Sequence, residues 1–322
     1  MLPSKDRLRI CFAHRAYRLA DRFALRNTGI AHVEARSPEE LARHLPESDV
    51  LVLSMLWKNE LAKTAPRLRF IQSVSAGVDY YDTEVLRAHN IRLASAAGVN
   101  AEAVAEHAMA LTLALYRRLP EARDNQHAKH WRGMISDIPA REDQLTGKTM
   151  LIVGLGRIGA RLAKLAKAFD MRVLATRRDP AAGAGPADAV YGQDKLQEII
   201  GQADVVVLTC PLTKETENLI GERALAAMRP TTYLINVARG RVVDEPALIK
   251  ALQDKRIAGA GIDVTAEEPL PASSPLWSMP NVLITPHTAG ETQRYEDAVI
   301  DILLENLDRL WRGETTLKNQ VV

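Results

Sequence analysis

Three ionisable side chains, Arg239, Glu268 and His287, each fall just beyond a run of strand character: Leu234–Ala238, Gly261–Val264 and Val282–Pro286. Together they could move a proton beside a bound anion. The planar guanidinium of an arginine donates two parallel hydrogen bonds to a carboxylate. Histidine changes charge near neutral pH, and a carboxylate on its other ring nitrogen fixes the tautomer and favours the protonated form. Each residue alone has a plainer reading, as a surface arginine, a solvated glutamate or a loop histidine. Their shared position separates the set from those readings, because ligands of open α/β sheets collect beyond the carboxyl ends of the strands.

The stretch that would position a reactant for them is Met150–Gly159. Leu151, Ile152 and Val153 form the apolar run of a parallel strand covered on both faces, and Ile158, Leu162, Leu165 and Ala166 then recur at helical spacing. Between them lies Gly154-Leu155-Gly156-Arg157-Ile158-Gly159. Gly154 permits a tight turn, Gly156 lets backbone amides approach a pyrophosphate, and Gly159 allows close helix–strand packing. With a strand before and a helix after, the pattern predicts a dinucleotide site. Further strand-like runs at Arg172–Ala175, Asp204–Thr209, Thr232–Val237, Gly259–Ile262 and Val282–Thr285 complete a doubly wound Rossmann lobe. An acidic residue about 20 positions past the glycines usually accepts from the ribose 2′-OH. Here the chain reads Leu174-Ala-Thr-Arg-Arg178, with Arg177 at that position. Arg177, assisted by Thr176 and Arg178, suits a 2′-phosphate, so NADP(H) is the preferred cofactor; NAD(H) stays possible, with Asp179 taking the ribose.

A second α/β lobe precedes the glycine turn. Leu8–Ala13, Val50–Met55, Phe70–Val74 and Ile91–Ala94 read as strands separated by helical segments. The first runs into His14–Leu19 without a glycine fingerprint, so this lobe should bind something other than a dinucleotide. Its candidate loops are Met55–Trp57, where Trp57 would form an apolar wall, and Ser75–Asp79. In the latter, Ala76, Gly77 and Val78 would present backbone N–H groups to a small anion or form a plain turn. Ala101–Tyr116 reads as a buried helix. Residues 117–142 read as a polar, irregular arm whose Trp131 suits a dimer contact. The last helix, about Thr292 to Trp311, should pack on the first lobe.

Taken together, Gly154–Gly159, Asn236-Val-Ala-Arg-Gly240, Gly261-Ile-Asp-Val264 with Glu268-Pro269, and Pro286-His-Thr-Ala-Gly290 resemble the successive signatures of the D-isomer-specific 2-hydroxyacid dehydrogenase family. Ser75–Asp79 and Val104–His107 extend the resemblance over nearly the whole chain. It implies a Rossmann domain, 99–290, inserted into a flavodoxin-like α/β substrate-binding domain, 1–98 with 291–322. It further implies His287 as acid–base residue, Glu268 as its partner and Arg239 as the residue that clamps and polarises a 2-oxo acid. Asp263 and Ala238 would hold the nicotinamide carboxamide, Thr209, Pro211 and Gly290 would line the cofactor, and Gly77 and Val78 would receive the substrate carboxylate. The loop Glu268–Trp277 and Trp57 resemble the glyoxylate/hydroxypyruvate reductase branch, which implies a small substrate. In related reductases the counterpart of Trp131 reaches the neighbouring subunit; ordinary interface packing is the alternative. Corepressors of the same architecture, which sense a dinucleotide with little turnover, form the rival class.

Composition narrows the partners. Lys and Arg number 42 and Asp and Glu 40 in 322 residues, a net charge of +2, with neither sign gathered into a tail or stripe. Neither nucleic acid nor an anionic membrane is suggested. The two cysteines, Cys11 and Cys210, lie in apolar runs and suit buried positions in a reducing compartment better than a disulfide or a metal site. With no apolar leader segment at the N-terminus, a cytoplasmic homodimer without a metal is expected.

Overall fold

Apolar runs that would leave neither face to water become the central strands of two parallel sheets in the computed structural model, which describes residues 2–322. The chain divides into two units, one running to Asn100 and resuming at Glu291–Val322, the other comprising Ala101–Gly290.

In the first unit β1 (Arg9–Ala13), β2 (Ala31–Ala35), β3 (Val50–Leu53), β4 (Phe70–Ser73) and β5 (Arg92–Ala94) lie in the order β2-β1-β3-β4-β5, the flavodoxin-like arrangement. Every residue of β3 and β4 is buried, whereas the edge strand β2 alternates towards solvent. No apolar run marks Ala31-His-Val-Glu-Ala35, and the sequence reading therefore omits it. The helix Tyr295–Trp311 belongs to this unit, burying Tyr295, Val299, Ile300, Leu303 and Leu307 with Phe12, Val50 and Phe70. It starts at Tyr295 rather than Thr292. Asn306, fully buried, donates to Gln72 Oε1 at 3.1 Å and accepts from the Lys318 N–H at 2.8 Å, which ties the final segment to β4.

In the second unit β6 (Thr149–Val153), β7 (Arg172–Arg177), β8 (Ala189–Gly192), β9 (Val205–Leu208), β10 (Tyr233–Asn236), β11 (Gly259–Ile262) and β12 (Val282–Ile284) lie in the order β12-β11-β10-β9-β6-β7-β8, all parallel. Counted from β6 this is the Rossmann order with one strand added at the β11 edge, and its topological switch falls between β6 and β9. The edge strand β8, half-buried throughout, carries only the short apolar run Ala189-Val-Tyr191 and is absent from the sequence reading. The helix Ala101–Tyr116 packs tightly on this sheet: a Cβ at Gly261 would lie 3.1 Å from Leu111 Cβ. The arm 117–142 is not wholly irregular. It contains the α-helix Leu119–His127, which buries no side chain and so has no apolar periodicity to announce it, and a 3-10 turn at Ile138–Ala140. Trp131, Met134 and Ile138 stand exposed on it.

Cys11 and Cys210 are both buried and unpaired. Among the described residues no helix is long and apolar enough to cross a membrane.

Candidate active site

The turn after β6 is built by steric necessity. Gly154 has φ +106°, and a Cβ there would come within 2.7 Å of Cys210 Cα and N. A Cβ at Gly159 would lie 2.4 Å from the Gly154 carbonyl oxygen and 3.2 Å from Thr209 Oγ1. Only glycine fits either place. The N–H groups of Gly154 and Leu155 donate to the Thr176 carbonyl at 3.1 and 2.8 Å, and Thr209 Oγ1 donates to the Gly154 carbonyl at 2.8 Å, locking the turn. At Gly156, by contrast, an added Cβ would meet nothing within 4 Å. The protein itself does not require a glycine there; a ligand approaching the backbone would. Gly156 caps the helix Arg157–Ala168, whose first-turn N–H groups have no carbonyl one turn earlier to bond. An open cradle at a helix N-terminus fits the pyrophosphate of a dinucleotide.

Beyond β11 and β12 the structure brings Glu268 and His287 into contact. His287 Nδ1 lies 2.7 Å from Glu268 Oε2, while Glu268 Oε1 accepts the Thr265 N–H at 3.1 Å, so both carboxylate oxygens are held. The hydrogen bond that His287 donates to Glu268 raises the pKa of the ring above its ordinary value, against partial burial and the nearby charge of Arg239. Partial burial pushes the Glu268 carboxyl upward, but the bond and charge of His287, the Thr265 N–H and the Arg239 charge together hold it below the usual carboxylate range. Arg239 thus acts electrostatically on both members of the pair. It follows β10 in a loop pinned by Asn236, whose Nδ2 donates to the Arg239 carbonyl at 3.1 Å and whose Oδ1 accepts the Ala238 N–H at 3.0 Å. The Ala238 carbonyl accepts from Arg239 Nη1 at 2.8 Å.

His287 sits at φ +57°, a backbone conformation sparsely populated by non-glycine residues and kept only where the surroundings impose it. Asp263 imposes it. Its carbonyl accepts the His287 N–H at 2.8 Å, Oδ1 accepts from Thr285 Oγ1 at 2.6 Å and the Thr288 N–H at 3.0 Å, and Oδ2 accepts the Ala289 N–H at 3.1 Å. The carboxylate expected to face a carboxamide is therefore largely committed to the loop that carries His287. Thr285 and Asn236 are supporting residues that the sequence reading did not assign; each stands at or just past a strand end, one residue before Pro286 and three before Arg239.

Other expectations need correction. Trp57 forms no open wall: it is 5% exposed, its ring packs near Tyr81 in the first unit's core, and its Nε1 donates to Asn59 Oδ1 at 2.9 Å. Met55, 84% exposed, is the free side chain of that loop. Thr176 cannot assist a 2′-phosphate, since it points into the core and its hydroxyl donates to Gln193 Oε1 at 3.1 Å. Arg177 is half-buried, with Nη1 donating to the Gly183 carbonyl at 3.0 Å, and Arg178 is exposed. Asp179 caps the turn Pro180–Ala182 through the Ala181 N–H at 3.0 Å. Pro211 is exposed beyond β9, and Gly290 ends the second unit, half-buried. In the first unit Ala76, Gly77 and Val78 are half-buried in a loop held by Ser73 Oγ, which accepts the Ser75 N–H at 3.1 Å.

A family model described as D-isomer specific 2-hydroxyacid dehydrogenase, NAD binding domain, matches residues 109–289, more than half of the chain. The chain belongs to this family. The dehydrogenase signature spans the glycine turn, Arg239, Asp263, Glu268 and His287. The glyoxylate reductase of Pyrococcus furiosus is 38% identical over 293 residues, 88% of this chain and 86% of its own length. Glyoxylate/hydroxypyruvate reductase B of Yersinia enterocolitica is 38% identical over 255 residues, 78% of this chain and 77% of its own. Among solved structures, the TT0316 protein of Thermus thermophilus is 34% identical with a TM-score of 0.84, covering 98% of this chain and 100% of that one. Family membership makes the chain an oxidoreductase of the class that uses a nicotinamide dinucleotide.

Proposed function

We propose that this dehydrogenase reduces a small 2-oxo acid to the D-2-hydroxy acid, with glyoxylate or hydroxypyruvate as the favoured substrate. The observation that carries the proposal is the 2.7 Å pair of His287 and Glu268 beside the charge of Arg239. A carboxylate only accepts, so Nδ1 carries a proton and Nε2 is left for the reactant. In the protonated ring Nε2–H gives its proton to the carbonyl oxygen as negative charge develops there; in the neutral ring the Nε2 lone pair takes a proton from a hydroxyl. A bound nicotinamide supplies or accepts the hydride. Arg239 holds the substrate carboxylate through its planar fork and polarises the adjacent carbonyl. An Arg239→Lys enzyme, whose ammonium cannot reproduce that fork, is expected to lose most of its kcat/KM for the keto acid; an unchanged value would remove Arg239 from this role. The names borne by the Pyrococcus and Yersinia relatives support the substrate class.

For the cofactor, Gly154–Gly159 would hold the pyrophosphate, and Arg177 with Arg178 would pair with a 2′-phosphate. Asp179, which would otherwise serve a ribose hydroxyl, is engaged as a turn cap. NADPH is accordingly the preferred donor. Comparing kcat/KM for NADPH and NADH tests this: a clear NADH preference would overturn it, and Arg177→Asp should move the ratio towards NADH. In the first unit, the loop Ser75–Asp79 is assigned to receive a small anion on the amides of Gly77 and Val78. The arm 117–142, with Trp131, Met134 and Ile138 exposed, is assigned as a homodimer contact. Sedimentation checks that assignment, and a monomer at micromolar concentration would contradict it.

A further inference from the structure

His107 lies on the helix Ala101–Tyr116, and its Nε2 is 2.9 Å from Thr285 Oγ1. The Thr285 hydroxyl has one proton, and it is directed to Asp263 Oδ1 at 2.6 Å. A carboxylate cannot donate in return. Thr285 Oγ1 must therefore accept from His107, so the ring carries a proton on Nε2. The bonds run in one direction, from His107 Nε2–H to Thr285 Oγ1–H to Asp263 Oδ1, with His107 Nε2 itself 3.7 Å from that oxygen. Asp263 is buried and holds the turn of His287 through the N–H groups of Thr288 and Ala289. Leu283, on β12 just before this turn, also packs in the cluster that contains Val104, Ala105 and Ala108 of the same helix.

We propose that His107 is a positioning residue for the acid–base pair: its Nε2–H fixes the Thr285 hydroxyl on Asp263, and that carboxylate in turn holds the left-handed backbone of His287 in place. The proposal rests on His287 being the acid–base residue. Removing the ring leaves the Thr285 hydroxyl without a partner on its outer side and lets the turn drift, and a misplacement of about an ångström in a reacting group can cost up to ~10²-fold in rate.

Two measurements test it. In kinetics, His107→Leu is expected to lower kcat about tenfold, a partial version of that positioning loss, with dinucleotide affinity unchanged. His107→Gln, whose amide N–H reaches about as far as Nε2, should recover kcat to within about threefold of the parent. In a His287→Ala background His107→Leu should cost nothing further, because residues acting through one group are non-additive. An unchanged kcat in His107→Leu, or a loss of the same size in the His287→Ala background, would overturn the proposal. In ring ¹⁵N NMR of the unliganded protein, His107 is expected to be protonated at Nε2; a ring protonated only at Nδ1 would overturn the relay whatever the kinetics show. If His287→Ala itself turned over normally, the acid–base reading would fail, and the NMR result would still judge the relay.

Discussion

Past the first strand of each sheet, the two units use their backbone amides in opposite ways. Beyond β1 the N–H groups of Ala16 and Tyr17 donate to His14 Nδ1 at 3.1 and 2.9 Å, and that of Arg18 donates to Glu296 Oε1 at 3.2 Å. The His14 ring stacks on Tyr17, and burial holds its pKa below the ordinary histidine value against the charge of Glu296. Beyond β6 the turn closes on itself through Gly154 and Leu155 and leaves the start of the next helix open at Gly156. The architecture is shared, but in one unit the protein's own side chains take up the amides of the loop that leads to the helix, and in the other glycines keep that approach clear. What such a turn can offer an anion is thus set by the loop, not by the fold that carries it.

Five substitutions can break or sharpen that contrast. The largest effect is expected from His287→Ala in the second unit, which should lower kcat at least ~10²-fold, the usual worth of a positioned general acid. Next, Gly159→Ala drives a Cβ into the Gly154 carbonyl and should destabilise the fold by about 1–3 kcal/mol, as overpacking does, and weaken dinucleotide binding with it. Gly156→Ala should weaken dinucleotide binding while leaving the melting temperature unchanged; titration by protein fluorescence and thermal melts separate the two glycines, and full affinity in Gly156→Ala would show that no ligand approaches that backbone. Then comes pH. In the proposed mechanism reduction requires protonated His287, so kcat/KM should stay high below the raised pKa of that ring and fall as pH climbs through it. Without the charge of Glu268 the ring releases its proton more readily, and Glu268→Gln should move the falling limb to lower pH. An unmoved limb would dissociate Glu268 from the titrating group. The smallest effect belongs to the first unit, where His14→Ala should cost about 1 kcal/mol of stability through lost hydrogen bonds and leave dinucleotide affinity as it was.

The parts legible in sequence share a physical signature. β3, β9 and the stretch Met150–Val153 of β6 are buried on both faces and so are written as unbroken apolar runs, and Gly154 and Gly159 must be glycines where they are because backbone atoms occupy the space of a side chain. Arg239, Glu268 and His287 were marked by chemistry at strand ends. What stayed hidden depends on neighbours distant in sequence. β2 and β8 are half-covered edges, and the helix Leu119–His127 buries nothing, so none has a periodic pattern. Trp57 looks like an exposed loop tryptophan until Tyr81 closes over it, and Thr176 looks available until its strand turns it towards Gln193. The connection from His107 to Asp263 joins positions far apart in the chain, which spacing alone cannot reveal.

The most direct test of the acid–base centre around His287 is absorbance at 340 nm with the wild-type chain, a panel of 2-oxo acids and each nicotinamide donor in turn. Rapid oxidation of NADPH with glyoxylate or hydroxypyruvate is expected. Tight dinucleotide binding with no turnover on any 2-oxo acid would contradict the assignment and make the chain a dinucleotide sensor instead.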